Sequence, residues 1–282
     1  MKIIKGLLLA TIVYTITLVL TNFFMPYSQG FKELEASDNP VSLLFTLFSS
    51  AWICFSMYFV IRHSGFYGKK LFLTLLGTMF FVLPFMTQIE TLFFINAFPA
   101  LTKFDVILLM FAMGLFPLSA AAILLVNYFQ NDGTASEKIK LNFKGVIWRL
   151  GAVGIIYLCV YMIFGYFVAW QFEELRIFYS GSSEKLSFFQ QVFSNSPGMI
   201  LFQILRGVLF GIAVIPLLLM INKAKKTFII SVCLVYLCTA VVLLIPNVLF
   251  PDIVRFAHLI EMAGSMLLFG IITGNVMWGA KK

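Results

Sequence analysis

Charge is scarce in this 282-residue chain: Asp, Glu, Lys and Arg together make up 11% of it, where a soluble domain carries about a quarter. No stretch is long and polar enough to fold as a separate soluble domain. Cysteine is sparse as well. Cys54, Cys159, Cys233 and Cys238 all sit within apolar stretches, where thiols behave as small hydrophobes. With no CxxC pair and no cysteine in a polar loop, neither a disulfide nor a redox centre is expected. Histidine occurs twice, as His63 and His258. A zinc-type HExxH, a nucleophile elbow, a P-loop and a dinucleotide-binding glycine pattern are all missing. The sequence therefore calls for no metal and no cofactor.

What it has in excess is apolar surface. Hydrophobic residues make up 61% of the chain and the mean hydropathy is +0.99. Runs of about 20 apolar residues, the length needed to cross a bilayer as helix, recur from end to end. Eight such spans are predicted, at about 6–26, 40–61, 71–98, 104–128, 146–171, 198–221, 227–249 and 252–278. The fold class is then an all-α polytopic transmembrane bundle forming one integral membrane domain.

The basic residues orient it. Lys2 and Lys5; Arg62, Lys69 and Lys70; Lys138, Lys140, Lys144 and Arg149; Lys223, Lys225 and Lys226; Lys281 and Lys282 occupy every second gap between spans. Short loops rich in Lys and Arg stay in the cytoplasm. Both termini are therefore expected there, in a multi-pass protein of the plasma or inner membrane. Of the acidic residues, only Asp132 and Glu137 fall on that side. The net charge of +8 is explained by topology and by anionic lipid headgroups, so membrane lipids are expected partners and nucleic acid is not. The first apolar run continues to Met25 without a small-residue cleavage site and reads as a retained span.

External loops are expected at 27–39, 99–103, 172–197 and 250–251. Asn39-Pro40, Ser196-Pro197 and Pro251-Asp252 carry helix-start chemistry for spans 2, 6 and 8. In the longest loop, Ser183 precedes Leu186, Phe189 and Phe193 at helical spacing, which predicts an amphipathic helix on the outer surface. Lys69-Lys70 and Lys225-Lys226 stand 156 residues apart. That offset lays Asp105 on Glu261 and Gly114 on Gly270, so two four-helix repeats, 1–145 and 146–282, are a further expectation.

Charged groups inside the spans carry the functional signal, because a lone ion in hydrocarbon is costly. All fall in the outer half. Span 8 offers Arg255, His258 and Glu261, three apart and so near one face; His258 lies about 9 Å and Glu261 about 14 Å below Asp252. Span 6 offers Gln203 and Arg206, and span 3 offers Gln88 and Glu90 beyond Pro84. Arg206 is predicted to pair with Glu261 or with Glu90. The Gly207/Gly211 and Gly270/Gly274 pairs, each a GxxxG, are expected to bring spans 6 and 8 together.

Glu90, Gln203, Arg206, Arg255, His258 and Glu261 thus form the expected ligand site. The arginines and His258 would hold a small polar or anionic solute or a lipid headgroup, and the glutamates would balance charge or carry protons. Two other readings remain open: an intramembrane hydrolase-like enzyme using His258 and Glu261, and a non-catalytic assembly subunit with a structural charge network. Intramembrane CAAX-type proteases have Arg four residues after a Glu pair and a Phe-x-x-x-His; here Arg176 follows Glu174 by two, and Val254 stands four before His258. Pro84, Pro117, Pro216 and Pro246 are expected to kink helices, and Trp170 and Trp278 to sit at span ends.

Overall fold

The computed structural model describes residues 2–35, 42–130, 141–221 and 223–281. Among the described residues, eight helices are long and apolar enough to cross a bilayer: Lys2–Phe24 (span 1), Leu43–His63 (span 2), Gly68–Phe93 (span 3), Lys103–Phe129 (span 4), Phe143–Gln171 (span 5), Pro197–Met220 (span 6), Lys225–Leu244 (span 7) and Asp252–Trp278 (span 8). The fold is a polytopic helical bundle. Helix is what such sequence must form, since hydrocarbon offers no partner to an open backbone amide or carbonyl.

One face of the bundle gathers both chain ends. Lys2 lies over the Tyr128 ring at 5.6 Å, and the Asn142 amide donates to the Ala280 carbonyl at 3.1 Å. This is the terminal face; the opposite one is the distal face. The Asn39-Pro40 start signal, together with Asp132, Glu137, Lys138, Lys140 and Lys282, lies outside the described residues.

The start signals at spans 4, 6 and 8 cap their helices or place a carboxylate in the first turn. The Ser196 hydroxyl accepts from the Met199 amide at 3.2 Å, with Pro197 in the first turn. Thr102 and Asp105 form a reciprocal capping box at the head of span 4, which satisfies two backbone donors at once. Asp252 sits in the first turn of span 8.

Pro84, Pro117, Pro216 and Pro246 act in four different ways. Pro84 lies within a π-helical turn, Phe81–Phe85, where its missing amide is absorbed by the wider helix. A second π turn, Phe111–Leu115, faces it, and the Pro84 ring rests directly on Gly114, where any side chain would overlap it. Pro216 is inside span 6 and Pro117 opens the α-helical part of span 4 after its π turn. Pro246, expected to kink a helix, instead lies beyond one. Span 7 tightens into a 3-10 turn at Val242–Leu244 and stops there, so the connection between spans 7 and 8 is longer than the sequence suggested.

Both GxxxG motifs pack, though not on each other. Gly207 and Gly211 press against span 5, at Gly154, Tyr157 and Leu150, while Gly270 and Gly274 press against span 7, at Cys233 and Ile229. Spans 6 and 8 do touch, as expected, but not through these glycines, which instead build tight 5–6 and 7–8 pairs. Small residues let backbones approach in lipid, but the motif does not name the partner helix.

Among the described residues, the distal face carries three short α-helices outside the spans. Gln29–Glu35 is tied down by Ser28, whose amide and hydroxyl both donate to the Asp105 carboxylate at 2.7 Å. Glu173–Ser180 follows span 5, held by Arg176, which donates to the carbonyls of Trp170 and Ser183. The amphipathic helix is present as Phe188–Ser194, capped by Ser187 rather than Ser183. Its Phe188 ring packs on Tyr166 and Phe167, whereas Phe189 and Phe193 are exposed.

Candidate functional site

Arg206 is held at the meeting of spans 3, 5 and 6. Gly207 beside it allows span 5 close, so the guanidinium lies over the Tyr157 ring at 5.5 Å and the Phe202 ring at 5.8 Å. It is only 2% exposed. Its Nη1 donates to Glu90 Oε1 at 2.5 Å and its Nη2 to Glu90 Oε2 at 2.7 Å. Nη1 also donates to Gln203 Oε1 at 3.0 Å. One turn toward the distal face, Phe93 and Phe202 stack in parallel with ring centres 4.1 Å apart. The span 3 to span 6 contact is thus an ion pair roofed by an aromatic pair.

Sequence reasoning left Arg206 two possible partners; the structure pairs it with Glu90. Glu90 on span 3 and Glu261 on span 8 both lie on neighbours of span 6, and it is the Glu90 carboxylate that meets the arginine fork. Glu261 takes another partner. His258 Nδ1 lies 3.7 Å from Glu261 Oε2, and His258 Nε2 is 3.0 Å from the Tyr179 hydroxyl. Tyr179 belongs to the short helix outside the bundle, where burial, reinforced by the Glu90 and Glu261 carboxylates, pushes its phenol above the usual range. It remains protonated and able to donate.

Span 5 touches the helices that carry both groups: the Tyr157 ring lies 5.5 Å from the Arg206 guanidinium and 5.0 Å from the Phe269 ring of span 8, with Tyr161 beside it at 6.3 Å. None of the three tyrosines stood among the expected site residues. Tyr157 and Tyr161, four apart on a helix, share a face and could have been found by that spacing. Tyr179 left no such signal.

Arg255 is not part of these contacts. Its Nη1 donates to the carbonyls of Leu243 and Leu244, at 2.9 and 3.0 Å, and its Nη2 to Asp252 at 2.7 Å. It closes the open carbonyl end of span 7 and lines a shallow depression of about 650 Å³ with Phe172, Glu174 and Asp252.

Several buried polar atoms lack a protein partner. Among them are Arg206 Nε, Gln203 Nε2 and Gln88 Oε1. A buried, unsatisfied donor costs about 1–3 kcal/mol, and two such donors sit on the same turn of span 6. Gln203 is held with its oxygen toward Arg206, so its amide nitrogen must point elsewhere. Among the described residues, no three His, Cys, Asp or Glu side chains gather as metal ligands would.

No family model, curated protein or solved structure matches this chain. Its function has to be argued from the site.

Proposed function

We propose that this protein binds a small polar or anionic ligand, either a solute that it passes across the membrane or a lipid headgroup, in the half of the bundle nearer the distal face. Both termini are cytoplasmic in this reading, because the lysine-rich connections share the terminal face. The distal face then looks outward from the plasma or inner membrane.

The observation that carries the proposal is the pair of unspent donors, Arg206 Nε and Gln203 Nε2. Buried polar groups are almost always bonded, and an exception beside a buried arginine suits a ligand oxygen. Glu90, His258 and Glu261 complete the site. Arg255, whose Nη1 and Nη2 bond carbonyls and Asp252 while its Nε also lacks a protein partner, stands apart at the end of span 7 and is not needed for this ligand.

The test is a ligand screen on the purified protein, read as a rise in melting temperature, repeated on Gln203→Leu. A ligand that stabilises the natural protein and loses its effect in the variant supports the proposal. Equal stabilisation of both contradicts it.

The chain from Tyr179 through His258 to Glu261 favours a second reading, acid–base chemistry on a bound substrate. That reading requires turnover lost in His258→Ala while ligand binding persists.

We further propose that the bundle is two four-span halves related by an axis along the membrane normal. Neighbour relations support this. Spans 1–2, 1–4, 2–4 and 3–4 touch in the first half, as do 5–6, 5–8, 6–8 and 7–8 in the second, and the halves meet through the equivalent pairs 2–7 and 6–3. Ser50 and Arg206 stand 156 residues apart, as do Met113 and Phe269; Tyr14 and Tyr157 correspond once the longer loop after span 5 is allowed for. The Tyr14 hydroxyl meets the Met113 carbonyl, and the Tyr157 ring meets Phe269. The charged site is then one of two equivalent four-span crossings. Its counterpart, lined by Tyr14, Ser49, Ser50 and Met113, is neutral and encloses about 10 Å³, room for about one water molecule.

A further inference from the structure

The short helix Phe188–Ser194 is fastened along the flank of span 5 at both of its ends. At the first end the Phe188 ring packs on Tyr166 and Phe167, with ring centres 5.3 and 5.4 Å away. The Tyr166 hydroxyl holds the approach to it by donating to the Leu186 carbonyl at 3.0 Å. At the other end the Asn195 side chain donates to Met162 Sδ at 3.5 Å. Met162 precedes Phe167 by one turn and more, which is about 7.5 Å along the span. The segment therefore slopes from the distal end of span 5 down into the level of the bundle, where Pro197 opens span 6.

Its remaining sides are unlike. Each residue of a helix is turned by about 100° from the last. Phe189 and Phe193 thus share one flank, about a quarter-turn from the packed Phe188, and Gln190 and Ser194 share the next. Phe189 is 69% exposed and Phe193 82%, a large apolar area to leave in water. The rings of Phe167, Phe188 and Phe189 follow one another in contact. Phe167 is itself exposed, as are Ile163 one turn below it and Leu201 of span 6, and on helices that cross a bilayer such side chains face lipid. The two phenylalanines continue that lipid-facing surface. Gln190, by contrast, is turned back to Ser187 in a capping box, which suits the polar side of an interface. We infer that this helix is immersed in the distal leaflet, with phospholipid acyl chains as the partner of Phe189 and Phe193 and the headgroup layer over Gln190 and Ser194.

Nitroxide labels on the full-length protein in phosphatidylcholine liposomes test this, in a background with exposed Cys159 replaced by serine. Labels at Phe189→Cys and Phe193→Cys should collide severalfold more often with oxygen, which concentrates in hydrocarbon, than with a water-soluble nickel chelate. The label at Gln190→Cys should show the reverse bias. All three positions are exposed, so the variants should melt close to the natural protein. A nickel bias at 189 and 193 would put the helix in water. Exclusion of both reagents there would mean that protein, the bundle or a second copy, covers the phenylalanines. An oxygen bias at 190 as well would take the polar flank out of the headgroup layer. Each of these three results overturns the inference, and none of them bears on a ligand at Arg206.

Discussion

Arg206 of span 6 and Glu90 of span 3 meet as a bidentate pair, with both guanidinium nitrogens of the fork bonded to both carboxylate oxygens. The arginine is 2% exposed and the Glu90 side chain 27%, so the pair is sealed on one side and reachable on the other. Breaking it by removing one partner strands a charge, a loss of about 3–5 kcal/mol for a buried pair. Arg206→Ala should therefore lower the yield of monodisperse protein and its melting temperature sharply. Arg206→Lys keeps the charge, loses the fork, and should fall between. The double variant Arg206→Met/Glu90→Leu should recover most of the stability. Size-exclusion profiles and thermal melts read all three, and an Arg206→Ala protein as stable as the natural one would contradict the pairing.

Span 6 depends on span 5 through Gly207. A Cβ there would meet Tyr157 Cβ and the Gly154 backbone at 2.5 and 2.8 Å, so the helices would have to separate. Gly207→Ala should destabilise by about 1–3 kcal/mol. Gly77→Ala, where nothing lies within 4 Å, should be neutral or slightly stabilising, since alanine restricts the unfolded chain. Comparing the two melts separates close packing from the general effect of removing a glycine.

Tyr179 anchors the distal helix Glu173–Ser180 to span 8 by its bond to His258. Tyr179→Phe removes one hydrogen bond worth about 1 kcal/mol, leaving the ring contacts with Trp170 and Phe94 in place. Amide exchange in 173–180 should quicken about fivefold, with little change at Arg206. Exchange quickening throughout span 8 would mean that the tyrosine supports the bundle itself.

The orientation is testable by labelling. In a background with exposed Cys159 replaced by serine, Ser183→Cys should react with an impermeant thiol reagent in intact cells. Lys69→Cys should react only after the membrane is opened. The reverse pattern would invert the topology.

Eight spans were legible in the sequence because hydrocarbon imposes one rule on every residue crossing it, and long apolar runs obey it visibly. The site was legible only in part. Arg206 and Glu90 stood out as ions in apolar surroundings, which is also why they pair. Arg255 looked the same in sequence, yet it closes the carbonyl end of span 7, because that helix ends at Leu244, short of Pro246. Nothing in the local pattern reveals where a neighbouring helix stops. The glycine motifs misled for a similar reason: Gly207 and Gly270 announce close packing without saying against which span. The tyrosines went unnoticed because a phenol at helical spacing in lipid is usually bulk, and only the seating of Arg206 on the Tyr157 ring and of Tyr179 on His258 gives it another part.

The central claim is that Arg206 Nε and Gln203 Nε2 point at something other than protein. A cryo-EM map of the protein in native lipid, fine enough to place both side chains, tests it most directly. The account predicts non-protein density within about 3 Å of both nitrogens. Side chains closed over both donors, with each bonded to the protein and no density between them, would contradict it.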